Sequence, residues 1–280
     1  MITPARIARI FPRRTTATPD DPLAFTTPPP KDLPDIDEVH VSVAFTYDMP
    51  KAETLAEAWR KTGLPVKMGG PAFNEPGGDF APGMYLKKGY VITSRGCPNR
   101  CPHCMVPIRE GGKLRELPIT PGFNVLDDNL IACSPEHIKK VFAMLKQQEK
   151  RPVFTGGLEA ARLREWHVEL LREVRAARMY FAYDSPSELE LLVRAGRLLR
   201  DGGITKASHR ACCYVLVGYA GDTMNDADTR LYAAWDAGFV PYAMLYRDEA
   251  GSVDPDWVKF QRAWVRPEIV LSRLKTREGL

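Results

Sequence analysis

Cys97, Cys101 and Cys104 stand in the run Ser94-Arg-Gly-Cys97-Pro-Asn-Arg-Cys101-Pro-His103-Cys104, spaced C-x3-C-x2-C. Three thiolates on so short a loop suit three corners of a cubic iron–sulfur cluster, and the missing fourth ligand leaves one iron open to another molecule. A structural zinc knuckle that adds His103 or a more distant ligand is the alternative chemistry for the same thiols. No second paired-cysteine motif completes such a four-ligand site. Of the six cysteines, the other three, Cys133, Cys212 and Cys213, show no spacing pattern and read as buried thiols rather than disulfides.

The elements that position these thiols are visible as a rhythm. Strand-like segments at 90–95, 122–127, 152–155, 179–183, 211–217 and 240–246 alternate with helical stretches. Ser134-Pro135-Glu136 and Ser185-Pro186-Ser187-Glu188 each put a capping hydroxyl before proline and a carboxylate in the first turn, which marks helix starts. Ile138, Val141, Phe142 and Leu145 then keep an i, i+3, i+4, i+7 stripe, repeated by Leu189, Leu192, Val193 and Gly196. Strands alternating with such helices give right-handed parallel crossovers, hence an α/β fold. The cysteine loop directly follows the first of these strands.

Upstream, Pro19, Pro22, Pro28, Pro29, Pro30 and Pro34 exclude regular helix or central strand, so an extended proline-rich arm is expected over 1–37. Val39, Val41, Val43 and Phe45 alternate as in a half-buried strand. Pro50 opens a helix through Arg60, and Val66 leads into Gly69-Gly70, making a small α/β segment over 38–84.

The cysteine run with its neighbours resembles the radical S-adenosylmethionine superfamily, whose signature is C-x3-C-x-aromatic-C after the first barrel strand; His103 fills the aromatic position. The resemblance implies a partial (β/α)6 TIM-like barrel over 85–250, with functional residues at the carboxyl ends of strands. It implies a [4Fe–4S] cluster on Cys97, Cys101 and Cys104, and S-adenosylmethionine chelated by the open iron with His103 near its adenine. Reductive cleavage would give methionine and a 5′-deoxyadenosyl radical that removes hydrogen from a substrate the sequence does not name. An electron donor such as a flavodoxin or ferredoxin is the implied partner.

Strand ends supply the other cofactor candidates. Asp127, Asp128 and Asn129 match the place where the family meets the amino group of S-adenosylmethionine, and an ammonium beside a sulfonium needs acceptors and negative charge. Asx residues also serve ordinary strand-to-helix turns there. Gly156, Gly157 and Glu159 line the next strand end, where the glycines equally suit a turn. Asp184 stands where the family carries a glutamate, and doubles as a cap for the following helix. Gly218, in Val217-Gly218-Tyr-Ala-Gly221-Asp222-Thr223, resembles the family's Gly-x-Pro-x-x-Thr and would admit an adenine edge, while Thr223 caps the next helix. Arg247 suits a carboxylate or phosphate, or a surface ion pair with Asp248 or Glu249.

Val66-Lys-Met-Gly-Gly-Pro-Ala faintly resembles the end of the cobalamin-binding domain that precedes some of these barrels, as a vestigial, cofactor-free remnant, since the D-x-H-x-x-G ligand motif is absent. Val106-Pro107-Ile108-Arg109 is reminiscent of the methylthiotransferase branch, without that branch's second cysteine trio.

At 280 residues, 44% of them hydrophobic, the chain holds one barrel-sized domain, or a domain and a smaller partner. A formal charge of +4, spread along the sequence, permits an acidic partner without requiring one. No apolar run is long enough to span a membrane, and Met1 to Arg14 lacks the pattern of a secretion signal, so a cytoplasmic protein is expected. In a helical tail over 251–280, Trp257, Phe260 and Trp264 sit at helical spacing among Lys259, Arg262 and Arg266. They either pack onto the barrel or stack on single-stranded nucleic acid. The competing functions are therefore a zinc or iron–sulfur module that binds nucleic acid without catalysis, and a radical enzyme acting on a nucleic acid base.

Overall fold

A computed structural model describes residues 5–248 and 250–278; Met1 to Pro4 of the amino-terminal segment and Glu249, named above as a partner of Arg247, lie outside the described residues. The chain divides into two compact units, residues 1–122 and 123–280. Both are α/β with parallel sheets.

In the first unit, β1 (Ile7–Ile10), β2 (Ala24–Phe25), β3 (Glu38–Ser42), a helix α1 (Met49–Arg60) and β4 (Val66–Gly69) form a sheet of order β2-β1-β3-β4. All three adjacent pairs are parallel. The expected arm over 1–37 is thus part of a sheet: Ala8 and Ile10 are fully buried beside Val39 and Val41. The prolines from Pro12 to Pro34 follow β1, and the strand among them is the two-residue β2 on the sheet edge, where a missing amide is tolerated. Arg9, 6% exposed, is held by Asp21 and donates to the carbonyls of Gly83 at 3.1 Å and Met84 at 3.3 Å. Helix α1 begins with Pro50 in its first turn and buries Ala52, Leu55, Ala56 and Trp59 against β3, and Trp59 Nε1 donates to Thr27 O at 3.1 Å. Gly70, at φ +119°, passes so close to the Val43 carbonyl that no side chain fits.

The rest of this unit holds β5 (Tyr90–Val91), β6 (Ser94–Arg95), the short helix α2 (Val106–Glu110) and β7 (Arg115–Glu116). The strand expected over 90–95 is therefore broken into two pieces. The second, β6, pairs antiparallel with β7, Ser94 opposite Glu116 and Arg95 opposite Arg115.

The second unit runs β8 (Asn124–Val125), α3 (Pro135–Lys146), β9 (Val153–Leu158), α4 (Glu165–Glu173), β10 (Arg178–Ala182), α5 (Leu189–Asp201), β11 (Ala211–Val217), α6 (Met224–Asp236), β12 (Val240–Leu245), α7 (Pro255–Arg262) and α8 (Pro267–Glu278). The capping residues act as expected. Ser134 accepts from the His137 amide at 3.2 Å, Ser185 and Glu188 form a reciprocal capping box, and Thr223 accepts from the Asp226 amide at 3.2 Å.

Strands β8 to β12 lie side by side in chain order, each adjacent pair parallel. Adding every strand on the same side, with a helix in each right-handed connection, places α3 to α6 on one face of the sheet. The burial pattern follows that winding. Met179, Phe181, Tyr183, Cys213, Val215, Val217 and Ala243 are each at most 2% exposed, whereas the alternate positions of β10 to β12 include exposed Ala182 and Met244 and half-buried Tyr180, Tyr214, Leu216 and Tyr242.

After β12 the chain returns along α7 and α8. Trp264 is fully buried, donates from Nε1 to Asp228 Oδ1 at 2.9 Å, and lies edge-on to Tyr232 with Arg273 over its face at 4.7 Å. Packing is its role, which removes it from any nucleic acid surface.

Candidate functional site

The antiparallel pair β6–β7 acts as a clasp. It closes an excursion of the chain from Gly96 to Leu114 that carries all three cysteines of the C-x3-C-x2-C run. Gly96, at φ +87°, has its missing side chain directed at the Lys113 carbonyl, so only glycine lets the two ends of the excursion approach this closely. Cys97, Cys101, His103 and Cys104 are all half-buried, and the Cys104 amide donates to Cys101 O at 3.1 Å in a local turn. Proline at 98, 102 and 107 limits the conformations this loop can take.

A depression of about 290 Å³ opens beside this loop, lined by Cys101, Cys104, Pro107, Ile108, Gly111 and Gly112 among others. Ile108 and Met105 stand exposed near it, at 63% and 39%. Among the described residues, no group of three or more His, Cys, Asp or Glu side chains closes around a metal position. The three thiols are neighbours along one clasped loop, and Cys101 and Cys104 line the depression. In number and donor type they match three ligands of an iron–sulfur cluster, each sulfur serving a different iron.

The loop's anchor is Glu110, a residue the sequence did not single out. Its carboxylate is fully buried and accepts from Arg109 Nε at 3.0 Å, Arg115 Nη2 at 2.7 Å and the Gly77 amide at 3.4 Å. Burial alone raises its pKa, but the two guanidinium hydrogen bonds and the amide outweigh burial and hold the carboxyl below the usual range. Arg115 also donates to Gly77 O at 2.8 Å, and Arg95 to Gly78 O at 3.0 Å. Both arginines of the clasp thus grip the same glycine pair. The only signal of this in the sequence is charge, Arg109-Glu110 followed by Arg115, and burial cannot be read from charge.

In the second unit, the ends of β8 and β9 bring four expected residues together. Asn129 Nδ2 donates to Glu159 Oε2 at 2.7 Å, and Arg162 Nε donates to the same oxygen at 2.7 Å. Asp127 and Asn129 are 1% and 4% exposed, while Asp128 is half-buried. Gly156 faces the Asp127 backbone so closely that a methyl group would collide with its carbonyl oxygen. Gly156 and Gly157 do not follow the strand, as the sequence suggested; they sit inside β9, where pairing with β10 shifts register between Met179 and Phe181, and Gly157 takes φ +104°. Gly156→Ala is accordingly expected to force β8 and β9 apart and lower the stability of this unit by about 1–3 kcal/mol. Thermal denaturation followed by circular dichroism measures it.

The remaining candidates have structural partners. Asp184 Oδ1 accepts from the Leu216 amide at 2.9 Å, tying the end of β10 to β11. The Gly218 amide donates to Asp222 Oδ2 at 2.9 Å, and Asp222 receives both terminal nitrogens of Arg230, at 3.0 and 2.8 Å. Gly218, at φ +75°, does permit a close aromatic approach, but the ring that uses it is Trp257, which a side chain at this position would meet at 3.2 Å. Arg247 Nη1 donates to Gly251 O at 3.4 Å. Cys133, Cys212 and Cys213 are buried, as expected, and burial pushes the Cys212 thiol up to about 11 against the opposing Arg178.

No protein-family model matches the chain, and no curated protein does. A solved structure of a phosphofructokinase-2 mutant from Escherichia coli aligns over 96% of this chain and 70% of its own at 13% identity, with a TM-score of 0.17. A likeness that slight carries no argument about fold or activity. Among the described residues, no helix is long and apolar enough to cross a membrane.

Proposed function

We propose that this chain is a radical S-adenosylmethionine enzyme. The observation that carries the reading is the clasped cysteine loop: a C-x3-C-x2-C donor set on a single excursion, pinned at both ends and at Glu110, with Cys101 and Cys104 lining a depression. Cys97, Cys101 and Cys104 would hold a [4Fe–4S] cluster, with the loop drawing in around it, since ligand binding and local ordering are one process at metal sites. Held there and reduced, such a group would supply the electron for reductive cleavage of S-adenosylmethionine to methionine and a 5′-deoxyadenosyl radical able to take hydrogen from a substrate.

The residues of the chain orient and exclude. Glu110, Arg95 and Arg115 hold the loop in place. The acidic and amide groups at the ends of β8 and β9, Asp127, Asp128, Asn129 and Glu159, supply the acceptors and negative charge that an ammonium beside a sulfonium requires. Strands β8 to β12, five of the six expected, wound in one direction with helices on a single face, support the finer fold reading of a partial (β/α)6 barrel, whose other face would be the interior. The four-stranded amino-terminal sheet takes the place of a reduced, cofactor-free cobalamin-domain relative. The substrate and an electron donor such as a flavodoxin or ferredoxin complete the system.

Anaerobic reconstitution with iron and sulfide, then reduction with dithionite in the presence of S-adenosylmethionine, tests the reading. Expected are a cluster signal in electron paramagnetic resonance that shifts on adding S-adenosylmethionine, and 5′-deoxyadenosine by chromatography. Uptake of one zinc with S-adenosylmethionine left intact would instead support a binding module without catalysis.

A further inference from the structure

Among the described residues the most exposed large apolar side chain is Ile108, at 63%, and it stands beside the cysteine loop. It lines the same depression as Arg100, Cys101 and Cys104. Met105, also exposed, precedes it by three residues at the start of α2, the spacing that puts two side chains on one helix face. A lone exposed apolar side chain is ordinary on any protein surface. Two on one face, at the mouth of a depression, make a patch that gains from being covered.

Charge surrounds this patch. The clasped stretch from Ser94 to Glu116 holds five cations, Arg95, Arg100, Arg109, Lys113 and Arg115, against two carboxylates, Glu110 and Glu116. The stretch thus carries an excess of three positive charges in a chain whose whole excess is four, so the charge is gathered here rather than spread as the sequence suggested. Glu110 is fully buried against Arg109 and is directed inward. Arg100 and Lys113 are exposed and Arg115 is partly so, with exposed Glu116 too little to balance them. The same stretch contains no Phe, Tyr or Trp, the rings on which single-stranded nucleic acid stacks at basic surfaces. Aliphatic side chains rimmed by cations suit an acidic protein surface better.

We propose that Arg100, Met105, Ile108 and Lys113 form the docking surface for an acidic one-electron carrier protein. The surface stands on exposure and charge; that its partner carries electrons rests on the proposed function, in which an electron must reach the cysteine loop from outside. A carrier seated on Ile108 faces the depression that Cys101 and Cys104 line, and electron transfer falls off steeply with distance. The carrier gives up one electron there and the group held by the loop accepts it, with no bond made or broken. Encounters of this class bury little surface, below about 1,200 Å² in total, and are steered by charge, so a small apolar patch within a cationic rim is sufficient.

The test is binding of an oxidised flavodoxin, an acidic one-electron carrier, to the reconstituted full chain, followed by fluorescence anisotropy of a label on the flavodoxin. Saturable binding is expected at low salt, weakening as salt rises because screening shortens the reach of the rim charges. Arg100→Glu and Lys113→Glu should each weaken binding about fivefold or more and flatten its salt dependence. Ile108→Ser, which changes no charge, should weaken it about threefold or more. Basic cytochrome c should neither bind nor compete. In all three variants 5′-deoxyadenosine formed with dithionite should match the native chain, while that driven by reduced flavodoxin falls with the binding. Circular dichroism and iron content identify a variant damaged in fold or loop, and the salt and cytochrome c arms on the native chain decide without it. Binding unchanged in folded Lys113→Glu and Ile108→Ser, insensitivity to salt, or equal binding of cytochrome c overturns the surface. Displacement of flavodoxin by lower concentrations of single-stranded DNA overturns it too, in favour of a nucleic acid partner. A chain that binds flavodoxin through these residues yet never forms 5′-deoxyadenosine sinks the radical reading alone. One that forms it with dithionite while the variants bind as the native chain does sinks the docking surface alone.

Discussion

Replacing any one of Cys97, Cys101 and Cys104 by alanine is expected to abolish retention of iron and sulfide after anaerobic reconstitution, and with it all 5′-deoxyadenosine above background. Three thiolates are the whole protein ligand set in the proposed site, so losing one removes a corner that no other side chain replaces. The fold should survive, because all three residues sit half-buried on the excursion beyond β6, outside the apolar core of the first unit. The control is internal. Cys133→Ala, Cys212→Ala and Cys213→Ala remove buried sulfurs and are expected to cost stability of about 1–2 kcal/mol each while leaving iron content unchanged. Iron and sulfide per chain, with electron paramagnetic resonance of the reduced protein, measure both arms. An intact cluster in any of the first three variants would overturn the ligand assignment.

Local chemistry was legible in the sequence, and contacts between distant segments were not. Ser134, Ser185 and Thr223 announce helix starts because a cap acts within three residues of itself, and the structure places each hydroxyl where the sequence put it. The parallel strands of the second unit were legible for the same reason, through alternation and apolar stripes. Reading Gly156-Gly157 as a turn failed because a glycine pair marks a bulge as readily as a strand end, and only the neighbouring backbone of Asp127 decides between them. The proline count after Thr15 obscured β1, whose own four residues contain no proline and bury two apolar side chains completely.

The candidate site divides along the same line. Spacing alone identified the cysteine loop, since three thiols within eight positions need no tertiary information. Asp184 and Gly218 drew attention by their places at strand ends, yet their partners are the Leu216 amide in one case and Trp257 with Asp222 in the other. Those partners lie on other elements, and no local pattern names them.

Glu110→Ala is expected to lower the stability of the first unit by about 3 kcal/mol, seen as a fall of roughly 10 °C in its unfolding midpoint. The carboxylate is fully buried between Arg109 and Arg115, so its removal takes a charged hydrogen-bond partner from Arg109, 17% exposed, and from the Gly77 amide. Arg115 is 40% exposed and can turn to water, which keeps the loss at the lower end for a broken buried pair. The pH dependence has a definite sign. The folded carboxyl titrates below its unfolded value, so the contribution is fully present above the ordinary glutamate range near pH ~4.3 and is lost as pH falls through the depressed folded value. Native protein should therefore lose stability with acid more steeply than Glu110→Ala. Since the carboxylate anchors the clasp rather than touching any thiol, reconstituted Glu110→Ala should bind iron at first and release it faster than the native chain. Iron retention unchanged over hours at neutral pH would show that the clasp holds the cysteine loop without this buried carboxylate.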